Sequence, residues 1–234
     1  MPSTCFTPIG GHTMRVTKVD ACGTLITGGS SCKIVSTGFV RVARTVEYED
    51  ADEFIVKNAN GDICVNERTS PAIKWINLEM EFCSVDPELF NVISASPLVL
   101  DDAASPAAVG WRTREGVIPS VNFALEVWSR ISGSSACSGG TVQYGYSLWP
   151  WVVQGTVGDV TYENGPISFT VNGRTKPGSL WGVGPYNIRN MILTPFTPSK
   201  LISAITATDH EHFQITNVAP PAATCGCTTV TVDP

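Results

Sequence analysis

Apolar and polar residues alternate most cleanly between Trp75 and Cys83. Ile76, Leu78, Met80 and Phe82 fall on one side of an extended chain, and Asn77, Glu79 and Glu81 fall on the other. A period of two predicts a strand with one buried and one wet face. A looser alternation predicts a second long strand from Phe39 to Tyr48. Between them, Glu53 to Lys57 and Ile63 to Glu67 are β-rich runs joined by Asn58-Ala59-Asn60-Gly61-Asp62. The Asn60-Gly61 pair takes positive φ readily, so these two runs predict a β-hairpin.

Further strands are predicted at Met14 to Val19, around Phe123, Leu125 and Val127, across the aromatic run Tyr144 to Val153, and at His212 to Val218. Ile167 to Val171 reads as a strand between two turn signals, Asn164-Gly165-Pro166 and Asn172-Gly173. The pattern holds one helix. Asp86 supplies its cap, Pro87 suits its first position, Glu88 favours its dipole, and it ends near Ile93. Ser94 to Ser105 reads as a loop, and a second β-rich half begins near Gly110. The halves share no repeat. The expected fold is therefore mainly β, a single antiparallel β-sandwich with one flanking α-helix over residues 1–218. An N-terminal arm of about residues 1–13 precedes its first strand, and a tail follows at 219–234.

Composition narrows what such a fold is for. The chain of 234 residues is 43% hydrophobic, enough for a full core, but only 15% charged, below the usual quarter. A surface so neutral suits burial against copies of itself. The net charge is −6, with no basic patch of the kind that neutralises phosphates. Five of the acids, Glu47, Glu49, Asp50, Asp52 and Glu53, crowd into one stretch, which as a plain loop would be solvated. Residues 1–20 carry no secretory apolar run, and no stretch approaches the roughly 18 to 20 apolar residues of a membrane helix. A cytosolic chain with no membrane partner is expected. Its eight dispersed cysteines (Cys5, Cys22, Cys32, Cys64, Cys83, Cys137, Cys225 and Cys227) are then expected to be reduced and mostly buried.

Candidate chemistry is sparse. The phosphate-loop and dinucleotide fingerprints are missing, and Gly133-Ser134-Ser135-Ala136 lacks the second glycine of a nucleophile elbow. With three histidines, few bases are on offer for a catalytic triad, so no catalytic residue and no enzyme is expected. Six tryptophans at strand spacing fit core or interface, with sugar stacking as the other reading. The one metal-like constellation is His210 with His212 and Cys225 with Cys227, each pair at i and i+2 and on one face of an extended chain. These four form a zinc candidate; otherwise no cofactor is expected.

Several blocks carry a resemblance. Phe54-Ile55-Val56-Lys57-Asn58-Ala59-Asn60-Gly61-Asp62-Ile63-Cys64-Val65 resembles the tail tube (major tail) proteins of siphophages, especially those infecting actinobacteria. So does Leu78-Glu79-Met80-Glu81-Phe82-Cys83-Ser84-Val85-Asp86-Pro87-Glu88-Leu89-Phe90. Gly165-Pro166-Ile167-Ser168-Phe169, Trp181-Gly182-Val183-Gly184-Pro185-Tyr186-Asn187, Asp209-His210-Glu211-His212 and Thr224-Cys225-Gly226-Cys227 are similar to the same family. The similar blocks lie within residues 39–227. The resemblance implies a sandwich whose inner sheets join through six copies into a continuous barrel, with rings stacked into a tube that conducts DNA. It implies Glu79 and Glu81 lining the lumen, and the acidic stretch 47–53 at a subunit or ring contact. It also implies tape-measure, terminator and distal tail proteins as partners, duplex DNA passing without specific binding, and assembly in a bacterial cytoplasm into a virion tail. A tail terminator, a capsid decoration protein and a carbohydrate-binding sandwich are the alternatives.

Overall fold

The computed structural model describes residues 7–84, 86–116, 119–132, 142–160, 164, 167–191 and 197–234. Cys5, Cys137, Gly133-Ser134-Ser135-Ala136, the Gly165-Pro166 turn and the first six residues of the expected arm lie outside them. Among the described residues the chain is mainly β and antiparallel, with one helix, as the pattern predicts. Its elements are β1 (Pro8–Lys18), β2 (Lys33–Ser36), β3 (Phe39–Tyr48), β4 (Glu53–Lys57), β5 (Ile63–Arg68), β6 (Ile73–Phe82) and α1 (Pro87–Ser94). There follow β7 (Leu98–Leu100), β8 (Ala108–Trp111), β9 (Asn122–Ile131), β10 (Tyr144–Val157), β11 (Phe169–Thr175), β12 (Arg189–Asn190), β13 (Pro198–Ser199) and β14 (His212–Thr216).

Eight strands make one sheet in the order β2-β1-β9-β10-β11-β6-β3, with β14 also on β10. β10 is its spine. One edge pairs with β9 along most of its length; the other pairs with β14 at Tyr144–Leu148 and with β11 from Val152 onward. The change of partner falls at Pro150, which has no N–H to give a ladder, and the β9 register breaks there too. Thr175 joins the two partners: its hydroxyl hydrogen-bonds His210 Nδ1 at 2.8 Å and accepts from the Ile76 N–H at 2.9 Å.

Strands from both ends of this sheet share one core. Met14 and Val16 of β1, Ile34 of β2, all four predicted residues of β6, Phe123 and Leu125 of β9, and Val171 of β11 are buried together with α1. Asp86 caps α1, accepting from Glu88 N at 3.0 Å and Leu89 N at 3.2 Å, and Pro87 fills the first turn. The Phe90 ring stacks on Trp111 at 4.5 Å and meets Phe82 and Phe169 edge-on or tilted. Gly155 lets β10 pass beneath the helix, since a Cβ there would lie 1.4 Å from the Ile93 carbonyl oxygen.

The sheet's other face is also buried, which the alternation in β9 does not foretell. Ala124, Glu126 and Trp128 sit in a second cluster with Tyr146, Leu148, Trp151, Trp181, Tyr186 and Leu201. Glu126 is fully buried and takes a two-pronged hydrogen bond from Arg15, both contacts at 2.6 Å, and a third from the Tyr146 hydroxyl at 2.7 Å. Tyr186 lies over the guanidinium at 3.4 Å, its hydroxyl 3.0 Å from that of Thr17. The segments after β11 thus form a lid on this face.

Other expectations change. β1 begins at Pro8, inside the expected arm, and pairs with β9 through two bulges. β11 continues through Asn172-Gly173 instead of turning there, and the expected loop after Ser94 holds β7, paired with β8. Of the six tryptophans, Trp128, Trp149, Trp151 and Trp181 are buried in the two clusters, so they offer no sugar platform. The cysteines are corrected most. Cys32 and Cys227 form a disulfide, and Cys22, Cys64, Cys83 and Cys225 are exposed free thiols rather than buried ones.

Burial, with the Glu126 charge second, pushes the Tyr186 phenol up to about 12 and moves Tyr146 well above its usual value. The folded chain therefore holds these protons where the unfolded chain releases them, so stability falls as pH rises. The Tyr186 contribution is complete below about pH 10 and is lost on passing through about pH 12. Urea melts across that window check this. Tyr186→Phe, which carries no proton to lose, has the shallower alkaline decline.

Candidate assembly surface

Of the eighteen large apolar residues left exposed among the described residues, seven crowd into one hairpin and its root. β3 and β6 pair from Phe39↔Phe82 to Tyr48↔Ile73, and their ladder runs on beyond the body. Glu49 N–H donates to the Ala72 carbonyl at 2.8 Å, Thr69 N–H to the Asp52 carbonyl at 2.9 Å, and β4 and β5 continue to Val56↔Val65. Asn58 closes the tip: its Oδ1 accepts from Asn60 N–H at 3.0 Å and Asp62 N–H at 2.8 Å, with Gly61 at φ 90°. At about 3.3 Å per residue the strand from Tyr48 to Lys57 reaches roughly 30 Å.

Every residue of β4 and β5 is exposed. Phe54 (55%), Val56 (54%) and Ile63 (56%) show over half their surface, and Ile55, Val65 and Ile73 nearly as much. Cross-strand pairing puts Val56 beside Val65, with Phe54 on the same side, so the apolar residues form a face rather than scattered points. The five expected contact acids, Glu47, Glu49, Asp50, Asp52 and Glu53, stand at the root of this arm, all exposed. Among the described residues none of them forms an ion pair; Glu47 accepts a hydrogen bond from Asn77 Nδ2 at 3.0 Å. The arm leaves from an open edge, because β3 pairs only with β6 among the described residues.

The wet face beside the arm is where alternation placed Glu79 and Glu81. Register lines up three outward rows: Arg41, Glu81 and Thr170; Ala43, Glu79 and Asn172; Thr45, Asn77 and Arg174. Arg41 pairs with Glu79 and reaches Glu81 at 3.6 Å, while the Arg174 guanidinium lies 4.7 Å over the ring of Trp75. With Glu47 opposite Trp75 and Lys74 Nζ 4.6 Å over the same ring, three acids and three bases give 3 − 3 = 0 on this face. The sequence reading missed Arg41 because the alternation in β3 is loose. A shallow trough of about 270 Å³ runs between Thr45, Asn77, Glu79 and Asn172, and continues into one of about 410 Å³ at Gln154 and Arg174.

The zinc candidates do not converge. His210 Nδ1 is engaged by Thr175, His212 Nε2 lies 3.2 Å from Gln214 Oε1, Cys225 is exposed, and Cys227 is bonded to Cys32. Among the described residues no three His, Cys, Asp or Glu side chains are placed to hold a metal ion. The buried Arg15–Glu126–Tyr146 group has charge and protons, but it has no room for a ligand beside it. The chain matches no protein-family model and no curated protein.

Residues that touch nothing contribute little to folding. Glu49→Ala with Asp52→Ala, and separately Phe54→Ser with Val56→Ser, are expected to leave the unfolding free energy of the monomer within about 0.5 kcal/mol per site. Denaturant melts at low protein concentration check this, and a larger loss places these side chains in the fold.

Proposed function

We propose that this chain is the tail tube subunit of a long-tailed bacteriophage, a structural protein that assembles with its own copies and catalyses nothing. The observation that carries the reading is the arm: an apolar hairpin with no core to enter, leaving the body beside an unpaired edge. Isolated two-stranded hairpins are marginal in water, and exposed edges invite pairing. A second copy answers both needs. Where the structure describes them, the blocks that resemble the family lie on the arm, on β6 into α1, at the start of β11, and in the lid and the C-terminal tail.

In this reading the two arms of the sheet form the layers of a sandwich. Six copies close a ring, β3 of each meeting a neighbour, and the joined β3–β6–β11 layers become the barrel wall. Heterologous contacts around a closed ring remove edges without limit on stacking. Tape-measure, terminator and distal tail proteins are the other partners, and the site of action is the virion tail after assembly in the host cytoplasm. Glu79 and Glu81 face the bore, with Arg41 between them. This face then carries no net charge around the ring, against 6 × −6 = −36 for whole subunits. A wall with no excess of bases, studded with neutral amides, does not hold duplex DNA by counterion release.

Negative-stain images of the purified chain at high concentration test the reading. Tubes are expected from the wild type, and folded protein without tubes from the triple variant Glu47→Ala, Glu49→Ala and Asp52→Ala or from Phe54→Ser with Val56→Ser. Single rings or trimers point instead to a terminator or a decoration protein, and a protein that stays monomeric overturns self-assembly.

Charge reversal tests the wall. Glu79→Lys with Glu81→Lys changes each subunit by +4 and each ring by 6 × 4 = +24 without touching the core face of β6. Phage particles carrying both are expected to build normal tails and to eject DNA slowly at low salt, recovering as salt rises. Ejection unchanged across salt places these residues outside the lumen.

A further inference from the structure

The last ten residues do not trail away from the body. Lys33 and Thr228 exchange backbone hydrogen bonds, both 2.9 Å, and Thr224 N–H donates to the Val35 carbonyl at 2.9 Å while its hydroxyl accepts from Val35 N–H at 2.9 Å. Lys33 and Val35 use the edge of β2 that β1 leaves open, so this segment takes the place of a further strand. Between those contacts the segment crosses the start of α1. Gly226 N–H donates to Asp86 Oδ2 at 2.8 Å and Cys227 N–H to Glu88, using the carboxylates that also serve the helix terminus. Val230 is buried, and its N–H reaches the Ser31 hydroxyl at 3.0 Å. At the centre of the strap Cys227 is bonded to Cys32, which is buried at the start of β2 and packed into the main core.

We propose that the Cys32–Cys227 bond is a thiol–disulfide exchange site that clasps residues 224–230 over the edge of β2 and the start of α1. Its reactant is a low-molecular-weight thiol and its disulfide. The exposure of the two residues sets the order of events, Cys32 being buried and Cys227 exposed. A thiolate from solvent attacks the Cys227 sulfur, forming a mixed disulfide, and Cys32 leaves as a thiolate that takes a proton from water. A second thiol molecule removes the first as a small disulfide and leaves Cys227 reduced. Closing runs in reverse: a small disulfide caps Cys227, Cys32 displaces the cap, and two small thiols are released for one protein disulfide. With the clasp closed, β3 and β14 are the sheet's open edges among the described residues. With it open, β2 becomes a third, and an unguarded edge is a site of wrong pairing. The clasp thus limits which edge a second copy can meet.

The test uses the whole chain purified without reductant, its free thiols alkylated before digestion. Peptide mapping is expected to find Cys32 linked to Cys227. Dithiothreitol added to the folded protein is expected to break the link and to speed amide exchange at Lys33, Val35, Thr224 and Thr228 at least tenfold, with β9 and β10 unchanged. Oxidised glutathione restores both. Cys225→Ser is expected to cycle like the wild type, since Cys225 is a free thiol two residues away. Alkylated Cys32 in the unreduced protein overturns the proposal, as does a Cys32–Cys225 link. So does reduction that leaves strap exchange unchanged, or that accelerates β9 and β10 equally, which is unfolding rather than unclasping.

Discussion

The Arg15–Glu126 pair is the contact on which the two-sided burial of the sheet turns. β1 and β9 are neighbours, and residues 15 and 126 are directly opposite each other on the face that simple alternation assigns to water. Two charges there, without cover, would be an ordinary surface ion pair contributing little. Covered, each must be answered in full, and each is. The carboxylate takes three hydrogen bonds, and the guanidinium lies between Glu126 and the faces of Trp128 and Tyr186. Burial is the largest influence and opposes the Arg15 charge, but Glu126, Tyr186 and Tyr146 together hold the guanidinium above its ordinary value. A buried pair of this kind is weak evidence for stability, since apolar residues of the same volume do as well. What it provides is direction. Tyr186 meets the guanidinium face and the Thr17 hydroxyl together, which ties the lid segment to the sheet. The same segment receives the chain end, through Asn187 N–H on Asp233 at 2.7 Å.

Strong internal order in the body makes the arm stand out. The two clusters satisfy β1, β6, β9 and β10, whereas β4 and β5 are held by their own ladder and by its continuity with β3 and β6. A ribbon anchored at one end and wet on both faces is the part of the molecule most free to open locally. Its apolar residues enter neither cluster, so the packing of the monomer does not account for their exposure.

How far the sequence could be read follows from how local each signal is. β3, the hairpin, β6 and α1 lie close to their predicted bounds because Asn60-Gly61, the alternation after Trp75, and Asp86-Pro87-Glu88 act over a few residues. β11 was cut short at Asn172-Gly173 because Gly173 reads as a turn, while its actual role is a close approach to Val152 across the ladder. Glu126 reads as a surface acid since nothing near it in sequence announces Arg15, 111 positions away. Cys32 and Cys227 are farther apart still, 195 positions, and dispersed cysteines leave their pairing open. Glu79 and Glu81 are legible as outward-facing; their ion pairs with Arg41 depend on the β3–β6 register, which no local pattern fixes.

Charge placement also bears on the geometry of self-association. Five of the 21 acids, Glu47, Glu49, Asp50, Asp52 and Glu53, sit together at the arm root, while the adjoining outward face of β3, β6 and β11 balances its charges. A two-fold contact brings a patch against its own copy, so arms meeting symmetrically at their roots would set five acids against five. At close range that repulsion is poorly screened, since the Debye length at physiological salt is about 8 Å. A head-to-tail contact avoids the clash by setting the root against a different surface of the neighbour. Such contacts make rings or filaments rather than closed dimers. An acidic root therefore disfavours a symmetric dimer through the arms and is compatible with the polarity of the proposed ring.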